Sequence, residues 1–378
     1  MIIAVTTRLF IPEKRDGIGT FTKEVFQYLS HQYPQHHFHF IFDRKPSPSI
    51  TFNSNVTVHV LPPPTRHYSL TWFWYNFPVA LLLRKIKADV FISPDSVLPI
   101  FIKTPSVPVL HDLAFEVRKQ DLPFLVRTYL QRTHRGAAKR AARVATVSAN
   151  SKNDIVKLYG VLPDKVDIIY SGISSHFSPL SEEEQNEVRK KYTHNEPFFI
   201  FVGTVLPRKN LLNLLKAFDI FKKENLLPFK LVVVGNVWLW DDQLKSVYDS
   251  MQFKKDVVLT GRISDEEVAK LYASSHAVTY VSHYEGFGLP VLEAFNSGVP
   301  LITSNTSCLP EIAGDAALFA NPADAISIAS CMTQLVKDEM LRADLIKKGE
   351  IRKNKFTWQD TAELLWQSIL KVKEEKGA

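Results

Sequence analysis

Short apolar runs, each the length of one β-strand, recur along the 378-residue chain, and segments with helical spacing fall between them. A first series lies at 2–5, 38–42, 90–92, 107–110 and 144–147. Between its first two runs, Phe21, Val25, Phe26 and Leu29 repeat at the three-to-four spacing of one helix face. Strand and helix in alternation imply a mostly parallel sheet with helices packed on it, because a parallel connection must cross back over the sheet. A polar stretch at 181–196 interrupts the pattern, which restarts with runs at 198–202, 231–234, 257–260, 278–281 and 301–303. Leu211, Leu214, Leu215 and Phe218, then Val268, Leu271 and Tyr272, mark helices between these. Single cores stop growing near about 250–300 residues. The expectation is therefore two Rossmann-like, doubly wound α/β domains in series, with a boundary near 175–195. A helical tail follows at 360–373, and its periodicity does not say which domain it joins.

Cys308 and Cys331 are the only cysteines, too few for a disulfide framework and not a close-spaced metal pair, which suits a reducing compartment such as the cytoplasm. The opening MIIAVTTRLF reads as a first strand rather than a signal peptide. The most apolar segment, LTWFWYNFPVALLL at 70–83, is interrupted by Asn76 and Pro78 and falls short of the about 18 apolar residues of a membrane span. It suits resting on a membrane, not crossing one. Net charge is unevenly placed: residues 1–180 hold 22 Lys+Arg against 12 Asp+Glu, and residues 181–378 hold 24 against 27. The basic half is expected to meet an acidic or interfacial partner. Within it, 127–143 contains six basic residues and no acid, with Arg132, Arg135, Lys139 and Arg143 at helical spacing. Such a face is commonly just solvated, but beside the aromatic stretch 72–77 it suits an anionic membrane surface. No nucleic-acid recognition motif is present, so nucleic acid is not an expected partner.

The chemistry concentrates at 282–305, SHYEGFGLPVLEAFNSGVPLITSN, where Glu285 and Glu293 flank a Gly-Phe-Gly-Leu-Pro turn. The run at 278–281 ends just before it and VLEAF opens a helix, so the turn lies at the carboxyl edge of the sheet, where open α/β sheets bind ligands. Pro290 suits the start of a helix and Gly298 its end. The first turn is expected to present the N–H groups of Leu289, Val291 and Leu292 to an anion such as phosphate. Gly286 and Gly288 allow a ligand close to the backbone. Carboxylates repel phosphate but accept hydrogen bonds from hydroxyls. A phosphate centre with hydroxyl-rich groups on either side describes a nucleotide sugar. Taken singly, Glu285 is equally a surface loop acid and Glu293 a first-turn acid favoured by the helix dipole.

E-G-F-G-L-P-V-L-E resembles the paired-glutamate motif of retaining GT-B glycosyltransferases, family 4. The likeness extends through 203–211, GTVLPRKNL, 232–235, VVVG, 259–268, LTGRISDEEV, and 304–324, SNTSCLPEIAGDAALFANPAD, all in family order. In the first half it is looser, through Gly-Ile-Gly-Thr at 17–20, His-Asp-Leu at 111–113 and Thr-Val-Ser at 146–148. The resemblance implies two Rossmann-like domains facing a central cleft. Residues 1–180 would lie on the acceptor side, completed by helix 358–378, and residues 190–357 would bind the donor.

By the same resemblance Glu293 would hold the ribose, while Glu285 and the segment Gly286, Phe287, Gly288 and Leu289 would meet donor sugar and phosphates. Arg208 and Lys209 would neutralise the diphosphate and matter to turnover more than to folding. His111 would lie by the donor sugar, with Asp112 structural; Arg262 and Ile263 would frame the base; Gly17 and Gly19 would approach the phosphates. Alone, His111 is also a packing histidine, Arg262 a solvated loop residue, and Gly-Ile-Gly too short for a dinucleotide fingerprint. The implied activity is transfer of a hexose, mannose from GDP-mannose as first choice, to a glycan or lipid-linked acceptor, with retention. No cofactor is expected. Without an Asp-x-Asp or a cluster at metal-ligand spacing, no metal is expected either. A phosphorylase or epimerase of the same fold, and an idle sugar-nucleotide-binding adaptor, are the alternatives.

Overall fold

The computed structural model describes residues 1–11, 17–173, 176–236 and 240–377. They divide into two compact units, Met1–Gly172 with Thr357–Ala378, and Ile173–Phe356. The family resemblance brackets the second domain at 190–357, whereas the second unit starts at Ile173.

Among the described residues, the first unit holds seven strands: β1 (Ile2–Thr6), β2 (His37–Phe42), β3 (Val56–Val60), β4 (Val90–Ser93), β5 (Ser106–Leu110), β6 (Val144–Thr146) and β7 (Val166–Ile168). The second holds six: β8 (Phe198–Val202), β9 (Lys230–Val234), β10 (Val257–Gly261), β11 (Ala277–Tyr280), β12 (Leu301–Ser304) and β13 (Leu318–Ala320). Orders are β3-β2-β1-β4-β5-β6-β7 and β10-β9-β8-β11-β12-β13, and the paired strands run parallel. Central strands such as FFIFV and KLVVV are apolar without alternation because helices cover both of their faces. In each sheet the order reverses once, between β1 and β4 and between β8 and β11. At such a reversal neighbouring crossovers leave on opposite faces, and a crevice opens beyond the carboxyl ends of the two strands.

Three strands escape the apolar-run reading. β3 is a half-exposed edge strand, VTVHV, with a polar residue at every second position; β7, VDI, carries Asp167 at its centre; and β13, LFA, is an edge strand at the end of the short apolar stretch 316–320. The polar stretch at 181–196 is mostly a helix, Glu182–Thr193, closed by a capping box between Ser181 and Glu184. It buries little beyond Val188 and Thr193, so its sequence carries almost no hydrophobic signal. Residues 68–85 form a continuous helical stretch, in which a π-turn at Tyr75–Val79 takes up Pro78. Among the described residues no helix is long and apolar enough to cross a membrane.

The last helix, Trp358–Gly377, belongs to the first unit and packs on the helix Gly17–Gln32. Ala362, Leu365, Trp366, Ile369 and Val372 join the same core as Val25 and Leu29. Trp366 stacks on Tyr33 with ring centres 4.0 Å apart, and the Tyr33 hydroxyl donates to Glu363 Oε2 at 2.7 Å. Where the chain returns, a Cβ on Gly172 would lie 2.3 Å from the Trp358 nitrogen, so only glycine fits there. Arg143, placed by its spacing on the exposed basic face, lies beyond the helix Phe124–Arg140 and is buried against Asp167 at 2.7 Å and Glu375 at 2.8 Å. Leu365 is fully buried, and truncating such a leucine typically costs about 2–5 kcal/mol. Leu365→Ala should therefore destabilise the first unit by that amount, with hydrogen exchange rising first in Gly17–Gln32 and Trp358–Gly377; a wild-type urea midpoint would show the helix to be dispensable.

Candidate active site

The site is built where the second sheet reverses. After β8 the chain makes a tight turn, Pro207–Lys209, and Asn210 takes a left-handed conformation, φ 63°, to start the helix Leu211–Asn225. The Asn210 amide donates to the carbonyls of Val281 at 2.8 Å and Pro322 at 2.7 Å, and the His283 N–H donates to Arg208 O at 2.8 Å. The β8 and β11 loops are thus joined through backbone groups, and their side chains are brought together.

Glu285 is the centre of that meeting. It is buried, with Oε2 2.6 Å from Arg208 Nη1 and Oε1 2.7 Å from Lys209 Nζ. Burial works to raise its pKa, but Lys209 and Arg208 outweigh burial and hold it at about 2. The Lys209 ammonium also donates to the Tyr280 hydroxyl at 2.8 Å. Two cations and one carboxylate leave a net positive site at the mouth of the sheet. The cations expected to serve a diphosphate are therefore also structural partners of Glu285. They therefore bear on folding as well as on any ligand, since removing either leaves a buried carboxylate short of a counter-charge.

The turn carrying Glu285 is held from below by the segment after β12. Ser307 accepts from the Glu285 N–H at 3.1 Å, and its hydroxyl donates to Glu285 O at 2.6 Å. Cys308 Sγ lies 3.2 Å from both Glu285 O and Phe287 O, and burial holds the thiol protonated, able to donate. With those carbonyls engaged below, the turn is fixed. Gly288 has φ 92°, and a Cβ there would meet Leu309 Cδ2 at 2.8 Å and Tyr280 Cε1 at 3.4 Å. Phe287 is buried and packs edge-on against Phe356.

The helix that follows is Leu289–Asn296, with Gly288 as N-cap. The Val291 N–H donates to Gly288 O at 2.9 Å, so it is not the free donor expected of it: the first turn is tightened, as helix ends often are. Glu293, half-buried, sits in the second turn. Arg262 and Ile263 follow β10, the outermost strand, with Arg262 exposed. Gly17 and Gly19 start the helix Gly17–Gln32, and His111 follows β5; these belong to the first unit. His111 Nε2 is 2.8 Å from Pro94 O and its ring meets Phe21 edge-on. Tyr280, Asn210, Ser307 and Cys308 escaped functional notice, although the last two lie in the matched segment 304–324. Among the described residues, no group of three or more His, Cys, Asp or Glu is placed to hold a metal.

Residues 182–352 match the family of glycosyl transferases group 1, and residues 15–177 match glycosyltransferase family 4. The chain belongs to the group 1, family 4 glycosyltransferases. Over 282 residues, 74% of each chain, this glycosyltransferase is 29% identical to the O-antigen chain mannosyltransferase B of Escherichia coli. It is 25% identical to the O-antigen chain mannosyltransferase RfbU of Salmonella typhimurium, over 76% of its own length and 75% of that chain. It is also 26% identical to the serotype-specific mannosyltransferase WbdA of Escherichia coli over 62% of its length, spanning 29% of that longer protein. Many solved structures share its GT-B fold. Sucrose-phosphate synthase from Thermosynechococcus elongatus matches with TM-score 0.77 at 17% identity, over 99% of this chain and 100% of that one. Anabaena HepE, solved with UDP-glucose, matches with TM-score 0.73 at 14% identity, over 98% and 100%.

The folded pKa of Glu285 lies below its ordinary 4.5, so its stabilising contribution is complete above that value and is lost as pH falls toward about 2. Glu285→Gln removes the charge and leaves Arg208 and Lys209 without it, a change expected to cost about 3 kcal/mol at pH 7. Urea unfolding at pH 7 and pH 3 should show the variant less stable and less sensitive to acid. Equal acid sensitivity in the two proteins would mean that Glu285 is not held ionised.

Proposed function

We propose that this glycosyltransferase moves a hexose, mannose first, from a nucleotide diphosphate sugar such as GDP-mannose to a hydroxyl of a glycan or lipid-linked acceptor. The product would serve cell-surface polysaccharide assembly, and the anomeric configuration would be retained. The observation that carries this reading is the pair of cations, Arg208 and Lys209, held on Glu285 at the reversal point of the second sheet. The names of the O-antigen relatives favour mannose, and the family favours retention.

The bond from the anomeric carbon to the diphosphate breaks as the acceptor oxygen bonds to that carbon. Negative charge then grows on the departing diphosphate. Arg208 and Lys209, already oriented by Glu285, Tyr280 and the Tyr284 carbonyl, would stabilise that charge more than they stabilise the bound donor, and only this difference speeds the reaction. Glu293 would accept from the ribose hydroxyls and Glu285 from a sugar hydroxyl. Arg262 and Ile263 would border the base, Gly17 and Gly19 the phosphates, and His111 the donor sugar. Incubation with a panel of nucleotide sugars and lipid-linked acceptors, with nucleotide release measured and the linkage assigned by NMR, tests the reading directly.

The first unit would work against the inner face of a membrane. Trp72, Phe73, Phe77 and Leu81 stay exposed on the stretch 68–85 while Trp74 and Tyr75 are buried, and Arg132, Arg135 and Lys139 are exposed on the helix Phe124–Arg140.

Two outcomes follow. Lys209→Ala and Arg208→Ala, assayed at a temperature where circular dichroism shows both folded, should turn over saturating donor at least about tenfold more slowly than wild type; near wild-type turnover would assign the pair to stability alone. In vesicle sedimentation the protein should favour anionic over neutral lipid and release at high salt, each basic residue near the surface being worth about 1 kcal/mol. Equal binding to both lipids would remove the membrane from the account.

A further inference from the structure

The first unit has a reversal point of its own, between β1 and β4, and the chain leaving those strands supplies Arg8 and Asp95. Asp95 is buried. Its Oδ1 accepts from the Tyr75 hydroxyl at 2.5 Å and from Ser93 Oγ at 2.9 Å, and its Oδ2 accepts from Arg8 Nε. Burial works against the Arg8 charge, but Asp95 more than offsets it, so the guanidinium stays cationic. Arg8 Nη1 donates to Thr65 Oγ1 at 3.1 Å, and Thr65 is anchored in turn on Asp43 Oδ2 at 2.6 Å. A chain of buried groups therefore sets this cation in place, as Glu285 sets Arg208 and Lys209 in the second unit.

Beside it opens a cavity of about 310 Å³, bordered by Arg8, Arg66, Tyr68, Tyr129 and Thr133. The Tyr68 and Tyr129 rings lie 5.0 Å apart. Fixed donors, hydroxyls and aromatic faces together suit a sugar, which offers hydroxyls at its rim and C–H groups on its faces.

A second cavity, of about 410 Å³, shares Val97, Tyr129 and Thr133 with the first. Its walls are apolar, from Trp72, Leu98, Ile100 and Leu125, but Arg132 and Arg140 also face it. Asp95, committed to Arg8, is the only acid among the described residues that line either cavity. An apolar groove flanked by arginines and continuous with a polar chamber complements an anionic amphiphile. A second copy of this chain would bring the same positive charge against it.

We infer that the two cavities form one site for a lipid-linked sugar. The sugar lies in the chamber beside Arg8, Tyr68 and Tyr129, the linking phosphate against Arg132 and Arg140, and the hydrocarbon chain along Trp72, Ile100 and Leu125. The inference rests on the glycosyltransferase reading, in which such a molecule is the acceptor.

The test is calorimetric titration of the full chain with three probes, each below its micelle threshold: dodecyl mannosyl phosphate, dodecyl phosphate and mannose 1-phosphate. The complete ester should bind at least about tenfold more tightly than either fragment, because joining two bound parts makes the second association intramolecular. Thr133→Trp, which fills the junction of the cavities, should weaken the ester at least about tenfold. Leu125→Asp is a second variant that leaves the core alone, since Leu125 is 80% exposed, and it should do the same by charging the groove mouth. An ester no tighter than dodecyl phosphate would overturn the inference, as would ester binding unchanged in both variants. Nucleotide release from the donor panel separates the two readings. Ester binding by a protein that turns over no donor would keep this site and remove the transferase, and turnover by a protein indifferent to the ester would do the reverse.

Discussion

The contact between Glu285 and the two cations beside it is the interaction on which the rest of the second unit turns. A carboxylate buried at a sheet edge is costly unless paired, and Arg208 and Lys209 can reach it only if the β8 and β11 loops are locked together. Asn210 and the His283 to Arg208 backbone bond supply that lock. Ser307 and Cys308 then hold the backbone of Glu285 from beneath. Positive charge is thus fixed in advance of any ligand, and a diphosphate arriving there would meet groups that need little rearrangement. On the proposed reading the same contact would tie stability to function, because the residues given to the leaving group also neutralise a buried acid.

Each unit repeats one arrangement. The strand that opens its sheet, β1 or β8, sends out a loop with a cation, Arg8 or Arg208 and Lys209. The strand across the reversal, β4 or β11, sends out the carboxylate that holds it, Asp95 or Glu285. Parallel strands with crossovers on opposite faces leave the crevice there whatever the sequence, so the fold supplies two polar sites and side chains decide their use. In the second unit glycines and a helix start surround the cations. In the first, tyrosines and an apolar groove do so.

Much of this architecture was legible in the chain. Central strands such as 198–202 and 231–234 announce themselves because both faces are buried and every residue is apolar. β3 could not, since Thr57 and His59 alternate with its valines at the sheet edge; Asp167 interrupts β7, and Asn321 and Pro322 cut short the run that contains β13. The helix Glu182–Thr193 showed only as a polar stretch because it buries little beyond Val188 and Thr193; a capping box closes its start, and Lys191 pairs with Glu267 at 2.7 Å. At the site, the order of residues around Glu285 pointed to the turn that follows β11. It could not show that Arg208 and Lys209 close on Glu285, because those contacts cross 77 and 76 positions. Nor could it show that Val291 is bonded to Gly288. Arg143 misled by spacing alone: its charge is buried in a cluster with Asp167 and Glu375, not displayed.

The return of the chain into the first unit sets an order of events during synthesis. The face of Gly17–Gln32 that carries Val25 and Leu29 is covered by Leu365, Trp366 and Ile369, and these leave the ribosome only after all of the second unit. Until then the first unit shows an apolar strip to the cell, and such transiently exposed surface invites aggregation. The second unit, continuous from Ile173 to Phe356, can close on itself as it emerges. The second unit would therefore be ready before its neighbour, and residues 358–377 act as the latch that ends the exposure of a surface made some three hundred residues earlier.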